Sequence, residues 1–361
     1  GIGSSLFAAV LLSRVIFEWF IDRKKDVSFD NAMTRNAFKN ISFDFVGRRK
    51  VYYAISLVII ATGFIFYFKN GGFNLGIDFK GGRTYQVQFT KEMDVNAVKG
   101  KMTSLFRTPP EMTTVGNKSQ LKFTTAYKIE QNGADVDKQV RDEVSGKLKE
   151  LGVDFRIVQE QKVGPAIASD ILYKAYMSVL FSCLLMFIYI LIRFKKWQYG
   201  LGAVVALFHD VLVVLSCYSI FNNILPFSLE IGQDFIAAIL TVMGYTMTET
   251  VVVFDRIREK LAESGKADVF GEERNKLINF ALNSTLSRTI LTSLTVFLTI
   301  LILFIFGGEV TRGFAFAMLI CVITGTYSSI FVGAPILVDF AKDKPLGAAK
   351  EVRKKEKAPE L

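Results

Sequence analysis

Glu249 stands in the segment GYTMTETVVVFDRIREK, residues 244–260, near the end of an apolar run that begins close to Phe235. Roughly 8 Å of helix rise separates it from the charges that mark the water boundary. In the following apolar segment, NSTLSRTILTSLTVFLTI, Arg288 lies about as deep if the two segments run antiparallel. A lone charge at that depth costs at least about 2.5–3.5 kcal/mol on insertion scales, so both groups should face a bundle interior and each other or water. The chemistry open to them is proton exchange, with a carboxyl group titrating beside a guanidinium. A static structural ion pair is the plainer alternative.

Hydroxyl groups share their faces. Ser284, Arg288, Thr292, Thr295 and Thr299 recur at helical spacing, as do Thr241, Tyr245 and Glu249, with Asp234 near the far end of the same face. Such a stripe can line a hydrated path or simply hold helices together. A third polar intrusion is LFHDVLVV, where Asp210 sits mid-span after His209, the only histidine of the chain. Neighbours on a helix point about 100° apart, so the two should not both face one partner. Each is a candidate proton-handling group. The proton-pathway set is therefore Glu249, Arg288, Asp210, His209, Tyr245 and Thr292. Asp255, Arg256, Arg258 and Glu259 read instead as anchors that snorkel to water, and Arg14 as another.

The elements that must hold these groups are legible from composition. Of 361 residues 51% are hydrophobic, and several windows of about 20 residues lack charge, the length that spans a bilayer as a helix. Expected spans are 1–21, 51–68, 170–192, 199–220, 233–254, 284–306 and 312–340. The basic segments DRKK, GRRK, RFKKW, DRIREK and KEVRKKEK fall on one side if the spans alternate, which makes that side cytoplasmic. The first span then starts outside and the C-terminus lies in the cytoplasm. A net charge of +10 is explained by these topology signals, not by nucleic acid. Cys183, Cys217 and Cys321 all lie in apolar spans without metal-ligand spacing, so neither disulfides nor zinc are expected. GIDFKGGR, 76–83, lacks the Gly-Lys-Ser/Thr ending of a phosphate loop, and no HExxH or GxSxG occurs. No catalytic residues, metal or cofactor are expected, and the chain reads as a non-enzyme driven by an ion gradient.

Residues 69–169 form a polar region between the second and third spans. RTYQVQFT and LKFTTAYK alternate like strands, VNAVKGKMTSLF and VDKQVRDEVSGKLKEL run like helices, and VDFRIVQEQKV closes as a strand. The order strand, helix, strand, strand, helix, strand is that of a ferredoxin-like unit. Residues 22–50 are expected to connect two spans in the cytoplasm, 170–340 to form a five-helix bundle, and 341–361 to be a disordered basic tail. The chain lacks a starting Met and residues 1–21 are already membrane-like, which suggests the back part of a longer polypeptide.

LGIDFKGG, VGPAIASD, FHDV, TVMGYTMTETVVVFDRIRE, NSTLSRTILTSLT and FGGEVTRGFAFAMLICVITGTYSSIFVGAPIL, taken in order, resemble the SecF half of the bacterial SecD/SecF protein-export family, from about Phe43 to Phe340. Residues 1–21 are similar to the last transmembrane helix of the SecD half, and 22–50 to the connector of a fused chain. The resemblance implies a resistance-nodulation-division-like fold in the bacterial cytoplasmic membrane, with one plus five transmembrane helices and an outside domain. It implies a late role in moving unfolded polypeptides, powered by protons or alternatively sodium. The implied partners are the SecD half, the SecYEG translocon, YajC and YidC. Where the family's motif carries Asn-Asp-Thr, this chain has Thr248, Glu249 and Thr250, which keeps the carboxylate and adds a methylene. A ferredoxin-like sheet can also bind an extended chain along an open edge, which makes Arg83, Tyr85, Val87 and Phe89 the expected substrate contacts; packing against the SecD outside domain is the alternative. Rival functions are a proton-driven exporter of small molecules or lipids, and a passive translocon scaffold.

Overall fold

The structure is a computed structural model that describes residues 3–4, 7–23, 42–107, 109–115, 117–131, 133–222, 224–225, 227–264, 269–341 and 346. The chain divides into two units, residues 1–42 and 43–361. In the first, a π-helical stretch, Phe7–Leu12, continues as α1, Ser13–Asp22, with Arg14 and Glu18 paired at 2.8 Å. Of the connector expected over residues 22–50, residues 24–41 lie outside the described residues, as does the tail expected over 341–361 apart from Ala341 and Leu346.

The second unit opens with α2, Arg49–Lys69, and a one-turn helix α3, Ile77–Lys80. A small domain follows: β1 Gly82–Phe89, α4 Val95–Phe106, β2 Glu111–Val115, β3 Asn117–Thr125, α5 Ala134–Lys149 and β4 Phe155–Val163. Its four strands are antiparallel in the order β2-β3-β1-β4, the ferredoxin-like arrangement. Period-two alternation divides β1 cleanly. Tyr85, Val87 and Phe89 meet Val98, Met102, Phe106, Val140, Val144 and Leu148, which α4 and α5 present at helical spacing. Each such side chain contributes about 1.5–3 kcal/mol when fully buried.

The bundle comprises α6 Pro165–Phe194, α7 Trp197–Phe221, α8 Gln233–Glu263, α9 Gly271–Phe306 and α10 Glu309–Ser328, which passes through a π-helical turn, Ser329–Gly333, into α11, Ala334–Ala341. Among the described residues six helices are long and apolar enough to cross a membrane: α2, α6, α7, α8, α9 and the run Thr311–Ala341. Helix α6 starts with Pro165 at its first position, where the missing N–H costs nothing. Helices α8 and α9 outrun the expected spans because their polar ends stay helical. On α8 the pairs Arg258–Asp255, Arg256–Glu259 and Lys260–Glu263 form at i,i+3 spacing. The most buried helices are α7, α8 and the last, with α2, α6 and α9 around them. Several crossings depend on glycine: a Cβ on Gly202 would stand 2.8 Å from the Gly333 carbonyl, one on Gly325 would overlap the Thr246 side chain, and one on Gly63 of α2 would overlap Ser216 of α7.

The residues around the Gly-Gly pair join domain and bundle. Gly81, at φ 74°, packs against Pro165 so closely that a Cβ would lie 3.3 Å from its Cα, and the chain turns there into β1. Just before it, the Gly76 N–H donates to the Ile231 carbonyl at 3.0 Å and the Ile231 N–H to that of Asn74 at 2.8 Å. These bonds tie the segment to the loop that precedes α8.

Candidate functional site

Glu249 projects from α8 into the wedge between α8 and α9 and is 8% exposed. Its Oε1 accepts a hydrogen bond from Thr292 Oγ1 of α9 at 3.0 Å. The same hydroxyl lies 3.1 Å from the Arg288 carbonyl and 3.0 Å from that of Thr289. A hydroxyl has one proton to donate, so Thr292 chooses between the carboxylate and the backbone. One turn along α8, the Tyr245 hydroxyl donates to Ser293 Oγ at 3.2 Å, and Ser293 also receives Thr326 Oγ1 of α10 at 2.6 Å.

No direct ion pair joins Arg288 to Glu249 among the described residues, although Arg288 stands near enough for its charge to act on the carboxyl group. Arg288 also lines a hollow with Val252, Asp255, Arg256, Glu259, Ser284 and Thr285. Arg288 is exposed, as are Thr295 and Thr299 further along the face, and these two threonines bond to the backbone of their own helix, as does Thr241 on α8. That part of the stripe thus lies on the outside of the chain, not along an enclosed path.

His209 and Asp210 form a second centre in which each has its own partner helix, as their divergence on the helix leads one to expect. Both are buried and they meet each other, His209 Nδ1 lying 3.2 Å from Asp210 Oδ1. Beyond that contact their partners differ: α2 offers Ser56 Oγ to His209 Nε2 at 2.9 Å, and α10 donates Ser328 Oγ to Asp210 Oδ2 at 3.0 Å. Ser56 also contacts the Tyr327 hydroxyl at 3.3 Å, and Tyr327 donates to the Tyr52 carbonyl at 2.8 Å.

The last helix connects the two centres. Thr326, Ser328 and Ser329 reach three different helices, Ser329 meeting Thr250 of α8 at 2.8 Å beside Glu249. The π-helical turn begins at Ser329, and such wide turns recur at functional sites. Between the centres, Thr246 and Thr289 are buried; the Thr289 hydroxyl has no hydrogen-bond partner among the described residues, and that of Thr246 lies within reach of Asp210. Ser56, Thr250, Ser293, Thr326, Ser328 and Ser329 were not singled out by spacing; the only signal for the last three is the small and hydroxyl-rich run TGTYSS inside an apolar span.

The expected substrate contacts lie elsewhere than at a surface. β1 is a central strand, and Arg83, Tyr85, Val87 and Phe89 point into the helix-covered core with at most 2% exposure. Burial pushes the Tyr85 hydroxyl up to about 12. Arg83 is held by Asp137, which also takes Lys162 at 2.8 Å. Those hydrogen bonds, Lys162 first and then Arg83, hold the Asp137 carboxyl below its ordinary range. Sequence reading also missed Asp78 of the GIDFKGG segment. Its Oδ2 accepts the Gln233 N–H at 3.1 Å and so caps α8 from another element, at a point where the helix's own cap residue, Gly232, has no side chain.

Known proteins share this architecture and these motifs. A family model described as protein export membrane protein SecD/SecF, C-terminal, matches residues 143–343, and one for the SecD/SecF GG motif matches residues 70–93. A protein translocase subunit SecF of Rhodothermus marinus is 42% identical over 302 residues, 84% of this chain and 94% of the relative. That of Calditerrivibrio nitroreducens is 34% identical over 298 residues, 82% of this chain and 93% of the relative. The crystal structure of SecDF, a translocon-associated membrane protein from Thermus thermophilus, superposes with a TM-score of 0.77 at 28% identity, over 94% of this chain. A super-membrane-facing form of SecDF gives 0.64 at 27% identity. The chain spans 43% and 45% of those two crystallised chains.

Proposed function

The chain belongs to the SecD/SecF protein-export family as a SecF-type member, and from that premise we propose that it is an accessory subunit of the Sec translocase that uses proton entry to drive late polypeptide export. It works as a multi-pass protein of the cytoplasmic membrane, with the sheet domain outside and the basic helix ends in the cytoplasm. The observation that carries this reading is Glu249, a buried carboxyl group at membrane depth whose polar partner is the Thr292 hydroxyl. A carboxyl group in that setting has a use for its ability to change charge.

As a carboxylate, Glu249 takes the Thr292 proton. Once protonated it donates to Thr292 instead, and the threonine hydroxyl turns to the backbone of α9. Tyr245, Ser293 and Thr326 carry the altered hydrogen bonding to the last helix, where Ser328 and Ser329 lead to Asp210 and His209. The buried hydroxyls of Thr246 and Thr289 offer sites where water completes the track. Two packings of the helices then differ by the charge on Glu249, and the outside domain, joined near Lys69 and Gly164, moves with them.

Arg288 and the exposed threonines of α8 and α9 need a protein neighbour, because an arginine facing lipid at this depth is costly. The SecD half is the natural occupant and supplies a carboxylate for Arg288. SecYEG, with YajC and YidC, completes the expected assembly. Ion currents across membranes that contain the full polypeptide and a stalled export substrate test the reading. A proton current that requires substrate and disappears in Glu249→Gln is expected; an undiminished current and wild-type export in that variant would overturn the role given to Glu249, and a current that follows sodium would replace the ion.

A further inference from the structure

A hollow between the sheet and the bundle takes no part in the roles above. Alternation sends Thr84 and Gln86 of β1 to the face opposite α4 and α5. The register places Gln161 and Gln159 of β4 beside them on one side, and Thr124 and Lys122 of β3 on the other. No helix of the domain covers this face. It looks instead onto Asp78, the loop at Ser228 and Glu230, and Asp234 at the start of α8. The space between measures about 200 Å³, whereas one water needs only about 10–15 Å³.

Most charged and hydroxyl groups there already have partners. Thr84 bonds Thr124 at 3.0 Å, Lys122 bonds Glu230 at 2.8 Å, and Asp78 caps α8 at 3.1 Å. The side-chain amides of Gln86, Gln159 and Gln161 have no hydrogen-bond partner among the described residues. Each offers two donors and an acceptor oxygen, the same chemistry as a peptide group. Gln159 and Gln161 are two residues apart on one strand and exposed. Their spacing of about 6.7 Å is the two-residue repeat of any extended chain. Neutral amides bind backbone without selecting among side chains. β4 is an edge strand, so a chain can enter sideways along Gln159 and Gln161 without disturbing the sheet.

We propose that this cleft is where an extended segment of the exported polypeptide lies, its peptide groups bonded to Gln86, Gln159 and Gln161. The site rests on the export reading and replaces contact along β1. Its floor includes Asp78 and Asp234, at the N-terminal end of α8, so an occupied cleft bears on the helix that carries Glu249.

The test places a photo-reactive residue at Gln86, at Gln159 and, as a control on the helix-covered side, at Lys138, in the full polypeptide in membranes with a defined secretory protein stalled in transit. Crosslinks from positions 86 and 159 and none from 138 are expected. With the probe at Thr113, which also lines the hollow, the triple variant Gln86→Ala, Gln159→Ala, Gln161→Ala should lower the crosslink yield about tenfold through three lost hydrogen bonds, at unchanged protein abundance. If the chain supports export but the secretory protein is captured only at 138 or at none of these positions, the cleft is not the site. If removing the chain leaves export unchanged, the export reading itself falls, a result seen separately from the crosslinks.

Discussion

At the scale of single residues, each functional group is defined by what it can donate or accept. Replacing Thr292 by valine keeps the volume and removes the hydroxyl that senses Glu249. A hydrogen bond to a charged group contributes about 1.5–3 kcal/mol, so Thr292→Val should slow proton-driven export about tenfold or more while Thr292→Ser retains most of it. An export assay on equal amounts of inserted protein decides; equal rates in both would show that the hydroxyl carries nothing. Asp137 offers a pH test outside the bundle. Its carboxyl group is held below the ordinary range by Lys162 and Arg83, so it stabilises the sheet domain above the unfolded value, near pH 4, and that contribution fades as pH falls through the lower folded value. Asp137→Asn leaves Arg83, 1% exposed, short of its counter-charge. Because Asp137 is itself 41% exposed, water replaces part of the loss, and about 1–3 kcal/mol is expected at neutral pH. Hydrogen exchange over residues 82–163 should show the variant looser at pH 7 and the difference shrinking in acid; a constant gap would remove the ion cluster as its cause. Glu249, Asp210 and His209 were legible as sequence because ionisable groups inside apolar runs have few physical explanations. Ser328 and Thr250 were not, since hydroxyls are common in such helices and only the crossing geometry selects the ones that meet.

At the scale of elements, the same contrast between period and contact holds. The spans and the ferredoxin-like order follow from apolar run length and from alternation, both properties of local sequence. That order, once the strands pair as a ferredoxin-like sheet, already places β1 between β3 and β4 with both its edges closed. That is why the odd-numbered residues of β1, read as an open edge, turn out to be core. Asp78 was invisible for a different reason: it caps a helix that begins 155 residues later. Removing that cap should cost about 0.5–2 kcal/mol. Asp78→Ala is therefore expected to free the first turn of α8, with faster hydrogen exchange at Phe235 and Ile236 and reduced export, whereas Asp78→Asn, also a good capping residue, should preserve both. If alanine leaves the amides at the start of α8 as protected as in the wild type, Asp78 does not secure the helix. Gly232 belongs to the same joint, since a Cβ there would stand 2.9 Å from Asp78 Oδ2.

At the scale of the whole molecule, the question is how a charge change in the bundle reaches the sheet domain. Connections that cross the gap besides the chain itself include the backbone bonds of Ile231 with Asn74 and Gly76, the Asp78 cap at the start of α8 and the Lys122–Glu230 ion pair at 2.8 Å. Lys122 and Glu230 are both partly exposed, and such a pair contributes only about 0–1 kcal/mol. It can open at little cost, unlike the packed core on the other side of the sheet. Glu249 lies about 22 Å along α8 from Asp234 at the gap, so a tilt or axial shift of this one helix moves the floor of the cleft as a lever would. Export that depends on this motion should fail when the gap is fixed. Cysteines in place of Lys122 and Glu230, joined by a short bismaleimide in a chain whose native Cys183, Cys217 and Cys321 are replaced, should insert normally and export at wild-type rate until crosslinked, then stop. The crosslinked chain should still pass protons if conduction precedes the swing, and lose the current too if the two are strictly coupled. Undiminished export from the crosslinked form would mean that the domain works without moving against the bundle, and the proton role proposed for the groups between Glu249 and Asp210 would then be left without a mechanical output.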